Sequence, residues 1–252
     1  MSSWDWQIFC QDTVSGEQVA GCMATGRDQT YLQWMLQAWG WTVTVSVSAL
    51  LVALIVGSII GVLRTLPDSP WLVRFGNAWV ELFRNIPLLV QIFIWYYVVP
   101  RMWPAAQSVN PTLLVILGLG FFTSARIAEQ LRSGILALPK GQRYAGMALG
   151  FTTTQYYRFV LLPMAYRIIM PPLTSESMNI FKNSSVAFAV SILELTQFYY
   201  QAGEETGHQR EVYFGVLALY AISALLVNQL MGFITRRLRV PGMVMAGGAG
   251  GH

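Results

Sequence analysis

Charge is scarce in this chain of 252 residues: only 11% are Asp, Glu, Lys or Arg, while 54% are hydrophobic. That balance leaves too little polar side chain to cover a soluble domain of this size, so lipid must cover much of the surface. Histidine is scarcer still. His208 has no second His or Cys nearby, which argues against a metal site. No H-E-x-x-H pair, paired aspartates or nucleophile motif occurs, and Asp68 is the only aspartate after Asp28, so no catalytic residue stands out. Neither Lys140 nor Lys182 lies in a G-x-x-x-x-G-K-[ST] pattern, so no phosphate-cradling loop and no bound cofactor are expected. Internal repeats, common in secondary transporters, are also missing.

Cysteine is limited to Cys10 and Cys22. An oxidising compartment would permit a disulfide between them, but nothing in the sequence brings their Cα atoms within about 7 Å, and free thiols are the favoured expectation. Residues 1–33 hold Asp5 and Asp12 and no apolar run, which predicts a short external segment rather than a cleaved leader. At the other end MAGGAGGH predicts a flexible tail over 242–252. Residues 34–241 form the single domain between them.

What is present is apolar sequence in long runs. A hydrocarbon core about 30 Å thick requires about 20 apolar residues of helix. Five spans are predicted, near Trp41–Leu63, Val80–Val99, Leu113–Ile135, Ser175–Phe198 and Tyr213–Ile234. The fold class is therefore an all-α polytopic membrane protein. Cations set its orientation, because short cytoplasmic loops retain Lys and Arg. Arg64 and Arg74 separate the first two spans, Arg132, Lys140, Arg143, Arg158 and Arg167 lie between the third and fourth, and Arg236, Arg237 and Arg239 follow the fifth. The alternate loops hold few cations, so the N-terminus is expected outside and the C-terminus in the cytoplasm. The net charge of +4 follows from this topology and needs no nucleic-acid partner.

One cytoplasmic stretch is more organised than a loop requires: LPKGQRYAGMALGFTTTQYYRFVLLP, Leu138–Pro163. Pro139 can open a helix, QRYAGMAL can continue it, and Gly150 can end it with a left-handed cap. Thr152, Thr153 and Thr154 offer caps for a second helix. Ala145, Gly146, Ala148 and Gly150 keep the first helix thin. A helix under about 12 residues is marginal in water, so it needs a partner surface, either its own protein or another.

This stretch resembles the cytoplasmic signature of ABC-importer permeases, in which an acidic residue and two alanines precede a glycine and an aliphatic-Leu-Pro group follows. Tyr144, Ala145 and Gly146 take the first places, Gly150 the glycine, and Leu161, Leu162 and Pro163 the end. Tyr144 replaces the acid and Gly146 the second alanine, so the acid's contact does not carry over. Glu81–Pro100, Arg126–Gln142 and Arg167–Ala189 resemble further signatures of polar amino-acid importers, in the same order. Together the resemblance covers Thr42 to Pro241, and YRFVLLPMAYRIIMPPLTSESMN is similar to a permease subunit of bacterial glutamate/aspartate importers.

The resemblance implies a MetI-like permease fold in the bacterial inner membrane. It also implies a periplasmic solute-binding protein, a second permease subunit, homologous or identical, and a cytoplasmic ATPase dimer that uses ATP and Mg. Pro139, Lys140, Gly141, Gln142, Ala145, Ala148, Gly150 and Pro163 would couple this chain to the ATPase. Glutamate or aspartate is the implied substrate, with glutamine, histidine or a basic amino acid as alternatives. An ion-coupled secondary transporter is the alternative from another class.

Polar residues within the spans are the candidates for the substrate pathway. Glu81, Arg84, Asn85 and Gln91 lie on the second span, which Pro87 can break, and Asn183, Ser184 and Ser185 lie on the fourth. For Arg84 the favoured role is an i,i+3 pair with Glu81. For Asn183 and Ser184, pathway contacts and interhelical hydrogen bonds remain equal readings. Glu129 is expected to pair with Arg126 and Arg132 on its own helix, and the Gly57-x-x-x-Gly61 pattern predicts a helix contact. Glu194 could face a pathway or the external surface.

Overall fold

The computed structural model describes residues 4–24 and 29–238. Arg239 and the expected tail, 242–252, lie outside the described residues. Two 3₁₀ turns, Trp6–Cys10 and Ala20–Cys22, precede α1 (Tyr31–Leu63), α2 (Pro70–Asn85) and α3 (Leu88–Phe93). A π turn, Ile94–Val98, leads into α4 (Val99–Met102), and a 3₁₀ turn, Pro104–Ala106, precedes α5 (Pro111–Leu136). Next come α6 (Lys140–Ala148), α7 (Thr153–Tyr156), a π turn over Tyr157–Leu161 and α8 (Leu162–Asn183). A 3₁₀ stretch, Ser184–Val190, is followed by α9 (Leu195–Thr206) and α10 (Gln209–Leu238). Apart from two isolated bridges, the regular structure among the described residues is helical.

The helices α1, α5 and α10 are long and apolar enough to cross a membrane, and α2 with Leu88–Met102 adds a fourth span if the broken pair is one crossing. Two of the five expected spans therefore change. In the second, Pro87 disfavours helical backbone at its predecessor, and Ile86 is extended at φ −90° and ψ 127° before helix resumes at Leu88. The fourth, Ser175–Phe198, is not continuous helix. The hydroxyls of Ser184 and Ser185 donate to the carbonyls of Phe181 and Lys182, each at 2.7 Å, where the chain tightens to 3₁₀. Ser191 then takes a left-handed φ of 57°, and the Glu194 carboxylate starts α9 by accepting the Gln197 N–H at 3.0 Å.

Two compact units are present, each built from discontinuous segments. One takes its residues from Met1–Ala49, Pro87–Leu119 and Ile180–Leu225. Its core joins Ile8 to Tyr31, Met35 and Ala38 of α1, Leu195, Phe198 and Ala202 of α9, and Val212 and Val216 of α10. The Asp5 N–H donates to Glu211 Oε1 at 3.1 Å, tying the first segment to α10. Asp12 Oδ1 accepts the N–H groups of Ser15 at 2.7 Å and Val14 at 2.9 Å, which hold its carboxyl below the usual range. The free-thiol expectation is overturned here: Cys10 and Cys22 are joined as a disulfide, with Cα atoms 4.1 Å apart. A left-handed Gly16 at φ 69° and the Gln11–Gln18 bridge turn the intervening chain back on itself.

The other unit takes its residues from Leu50–Ile86, Gly120–Asn179 and Leu226–His252. Small residues let its helices meet closely. A Cβ on Gly57 would lie 2.8 Å from both Ile127 Cβ and the Ser124 carbonyl oxygen, and one on Gly61 would lie 3.0 Å from Leu131 Cβ. The expected glycine contact thus runs from α1 to α5. Ile60, Val80, Ala125 and Ala128 form a core beside it, with Trp79 and Phe83 against them.

Gly57→Val should force this contact apart and cost about 1–3 kcal/mol, the usual penalty for overpacking. Gly40→Val, at a glycine with nothing within 4 Å, should cost far less. Thermal unfolding of the two variants in detergent checks the difference.

Candidate functional site

The cytoplasmic-signature stretch folds as its residues dictate. Pro139 stands immediately before α6, and Lys140, Gly141, Gln142, Ala145 and Ala148 lie within it. Gly150, at φ 81°, ends it: its N–H donates to the Met147 carbonyl at 3.0 Å, and the Phe151 N–H reaches back to the Gly146 carbonyl at 3.1 Å. Those two bonds make a Schellman cap. Thr152 then opens α7 with a capping box, its hydroxyl accepting the Gln155 N–H while Gln155 Oε1 accepts the Thr152 N–H. Glycine at 146, the departure from the signature, has a local cause. A Cβ there would approach Tyr156 Cδ2 to 3.1 Å, so the aromatic ring of α7 occupies the space an alanine would need.

Pro163 falls in the first turn of α8, after the Tyr157–Leu161 π turn. Three large hydrophobic side chains are exposed on α6 and its cap: Tyr144 is 66% exposed, Met147 56% and Leu149 77%. A nine-residue helix with bulky apolar side chains turned outward lacks a partner for them within the described residues.

A polar cavity of about 420 Å³ lies in the same unit, lined by Arg64, Asn77, Val80, Glu81, Arg84, Asn85 and Glu129. It gathers three of the expected pathway residues, Glu81, Arg84 and Asn85. Their pairing differs from expectation. Arg84 Nη1 lies 3.6 Å from Glu129 Oε2, so its carboxylate partner comes from α5 and not from Glu81 on its own helix. Glu129 in turn is held by Arg64, whose Nη1 is 2.6 Å away; of the two expected partners on its own helix, Arg132 acts on it at longer range and Arg126 pairs with Glu176 instead. Arg64 Nε donates to Asn77 Oδ1 at 2.8 Å. By sequence alone Arg64 is a loop cation. Gly76 is what admits it, since a Cβ there would lie 2.5 Å from Arg64 Cγ.

Gln91, Asn183, Ser184 and Ser185 belong to the first unit. Gln91 is buried in α3, which packs against the Ser184–Val190 stretch. The hydroxyls of Ser184 and Ser185 are used by backbone carbonyls, as described above, while Asn183 is partly buried. Glu194 does not face the external surface: it is buried, and Tyr220 donates to its Oε2 at 2.8 Å.

Residues 53–240 match the family described as binding-protein-dependent transport system inner membrane component. The chain belongs to that family. It is 38% identical over 252 residues to the glutamate/aspartate import permease protein GltJ of Escherichia coli (strain K12), covering 95% of this chain and 96% of that protein. A probable glutamine ABC transporter permease protein, GlnM of Bacillus subtilis (strain 168), is 33% identical and covers 78% of this chain and 89% of its own length. In fold, the chain matches an amino acid ABC transporter crystallised with histidines at TM-score 0.71, over 82% of this chain and 95% of that one, at 24% identity. An inward-facing MetNI methionine ABC transporter matches at TM-score 0.72, over 83% and 98%, at 25% identity. This inner-membrane permease therefore has the expected MetI-like fold, and its relatives are transport subunits rather than enzymes.

In this permease, removing one side of the Arg64–Glu129 pair should leave the other charge poorly compensated. Arg64→Met alone should destabilise the protein by about 1–3 kcal/mol, while Arg64→Met with Glu129→Leu should recover part of that loss. A thermal-shift comparison of the single and double variants checks this.

Proposed function

We propose that this chain is a permease subunit of an ATP-driven importer for glutamate and aspartate, paired with a second permease and served by an external solute-binding protein. The observation that carries the reading is identity at 38% across nearly the full length of both this chain and GltJ. The resemblance to GlnM favours glutamine as the second reading.

The mechanism assigns α6 to a groove on a cytoplasmic ATPase. Its Schellman cap at Gly150 and the Gly146–Tyr156 contact hold it as one piece with α7, so a push on Tyr144, Met147 and Leu149 passes to the π turn and α8. ATP and Mg chemistry belongs to the ATPase. Orientation rests on two physical supports. Cations collect in the loops expected on the cytoplasmic side, and the Cys10–Cys22 disulfide suits the oxidising periplasm. Glu81, Arg84 and Asn85 would then line a polar cavity on the cytoplasmic half, and Gln91, Asn183, Ser184 and Ser185 would border the helix breaks of the other unit.

ATP hydrolysis by the reconstituted assembly, with its binding protein, should rise with glutamate or aspartate. A response to glutamine alone would replace the substrate and keep the class, whereas transport without ATP would replace both. Gly150→Asp should leave the chain in the membrane while transport falls at least tenfold, because an L residue at φ 81° strains the cap and a side chain crowds the docking face. Tyr144→Cys and Leu149→Cys should crosslink to cysteines in the ATPase groove; no crosslink from either position would remove α6 from the docking role.

A further inference from the structure

The charged pair between α5 and α8 is used neither by the cavity nor by the docking helix. Arg126 of α5 and Glu176 of α8 face each other with Nη1 and Oε2 3.6 Å apart. Arg126 lies about 22 Å from the start of α5 and about 15 Å from its end, at about 1.5 Å per residue. It is therefore deep within a membrane-crossing helix, where an ionised side chain is costly unless it meets a partner or an aqueous path.

The Arg64–Glu129 pair of the same unit supplies a comparison. There the contact is 2.6 Å and the arginine side chain is 8% exposed, with a second acceptor on Asn77, as expected of a structural bridge. At Arg126 the contact is a full ångström longer and the side chain is 40% exposed, although its carboxylate partner is only 13% exposed. Arg126 also lies over the Phe122 ring, 4.6 Å from its centroid. That contact supports one face of the guanidinium and leaves its edge, where the N–H donors point, available to an acceptor in the plane. A strong charge-assisted bond would draw the pair to about 2.7–2.9 Å, and this pair stops short of that.

We propose that Arg126 and Glu176 form a recognition pair for an α-amino acid zwitterion in the pathway, Arg126 taking a carboxylate and Glu176 the ammonium. The assignment rests on the amino-acid importer reading but not on which amino acid is carried. An amino acid bears opposite charges on neighbouring atoms, and the pair presents the complementary charges side by side. Arriving substrate exchanges one ion pair for two, so neither protein charge is left bare while the amino acid passes.

The test is equilibrium binding of radiolabelled glutamate to the solubilised permease–ATPase assembly without binding protein. Arg126→Gln and Glu176→Gln should each weaken binding by about 10- to 100-fold, the usual weight of a charged hydrogen bond, while each variant still assembles with the ATPase. Arg126→Lys, which keeps the charge, should assemble normally and lose a smaller part of the affinity. The exchange Arg126→Glu with Glu176→Arg should retain thermal stability and still fail to restore binding. Restored binding in the exchange variant, or unaltered binding in Arg126→Gln, would make the pair a structural bridge and overturn the proposal. Binding of glutamine in place of glutamate by the unaltered assembly would overturn the substrate reading alone, and the same variants measured on glutamine would still decide the pair. No binding of either amino acid would overturn the pair as a recognition site.

Discussion

A peptide group inside hydrocarbon must find a hydrogen-bond partner within the protein, and the breaks after α2 and α8 show how this chain meets that demand. Pro87 brings no N–H to the break after α2, so one potential orphan donor never exists. After α8, Ser184 and Ser185 satisfy the carbonyls of Phe181 and Lys182, and the Thr42 hydroxyl accepts the Leu195 N–H at 3.1 Å where α9 begins. Glu194 does the same for Gln197 and is itself supported by Tyr220. The polar residues around the breaks are thus largely committed to backbone, which narrows the set that remains for a passing solute.

Close helix contact is the second constraint, and glycine meets it at specific places. Gly57, Gly61 and Gly134 meet side chains of neighbouring helices at distances no Cβ tolerates without movement. Gly76 differs in kind, because it makes room for a charged side chain. It lets the stem of Arg64 pass along α2 so that the guanidinium reaches both Asn77 and Glu129. Sequence periodicity carries no trace of this arrangement, since Arg64 lies in the turn after α1 and Gly76 within α2.

Much of the architecture was legible because its determinants are local. Gly150, Thr152 and Pro139 announce the ends of α6 and α7 through backbone preferences that act within a few residues. The long apolar runs of α1, α5 and α10 announce themselves by length alone. Legibility failed where a choice depended on distant residues. Arg84 had an acid available at Glu81, but α5 brings Glu129 within its reach, and tertiary approach decided the pair. The stretch from Ser175 to Phe198 averages as apolar, and hydropathy does not register a serine that turns its hydroxyl onto its own backbone. The two cysteines are close because Gly16 and a bridge between Gln11 and Gln18 fold the segment, a geometry invisible to spacing. Sequence singles out Glu81, Arg84 and Asn85 one by one as polar residues in an apolar run, while their grouping about a cavity with Arg64 and Asn77 depends on tertiary approach.

The hydrogen bond from Asp5 to Glu211 joins residues 206 positions apart, and Ile8 shares a core with Val212 and Val216. During synthesis the N-terminal segment must therefore wait, partly unpacked, until α10 has been made. Loop closure over such a separation is slow compared with helix formation, and this unit, which draws on Met1–Ala49 and on Ile180–Leu225, can close only after its last segment is made. Its oxidised clasp preserves a compact local shape through that delay, leaving α10 a prepared surface on which to settle.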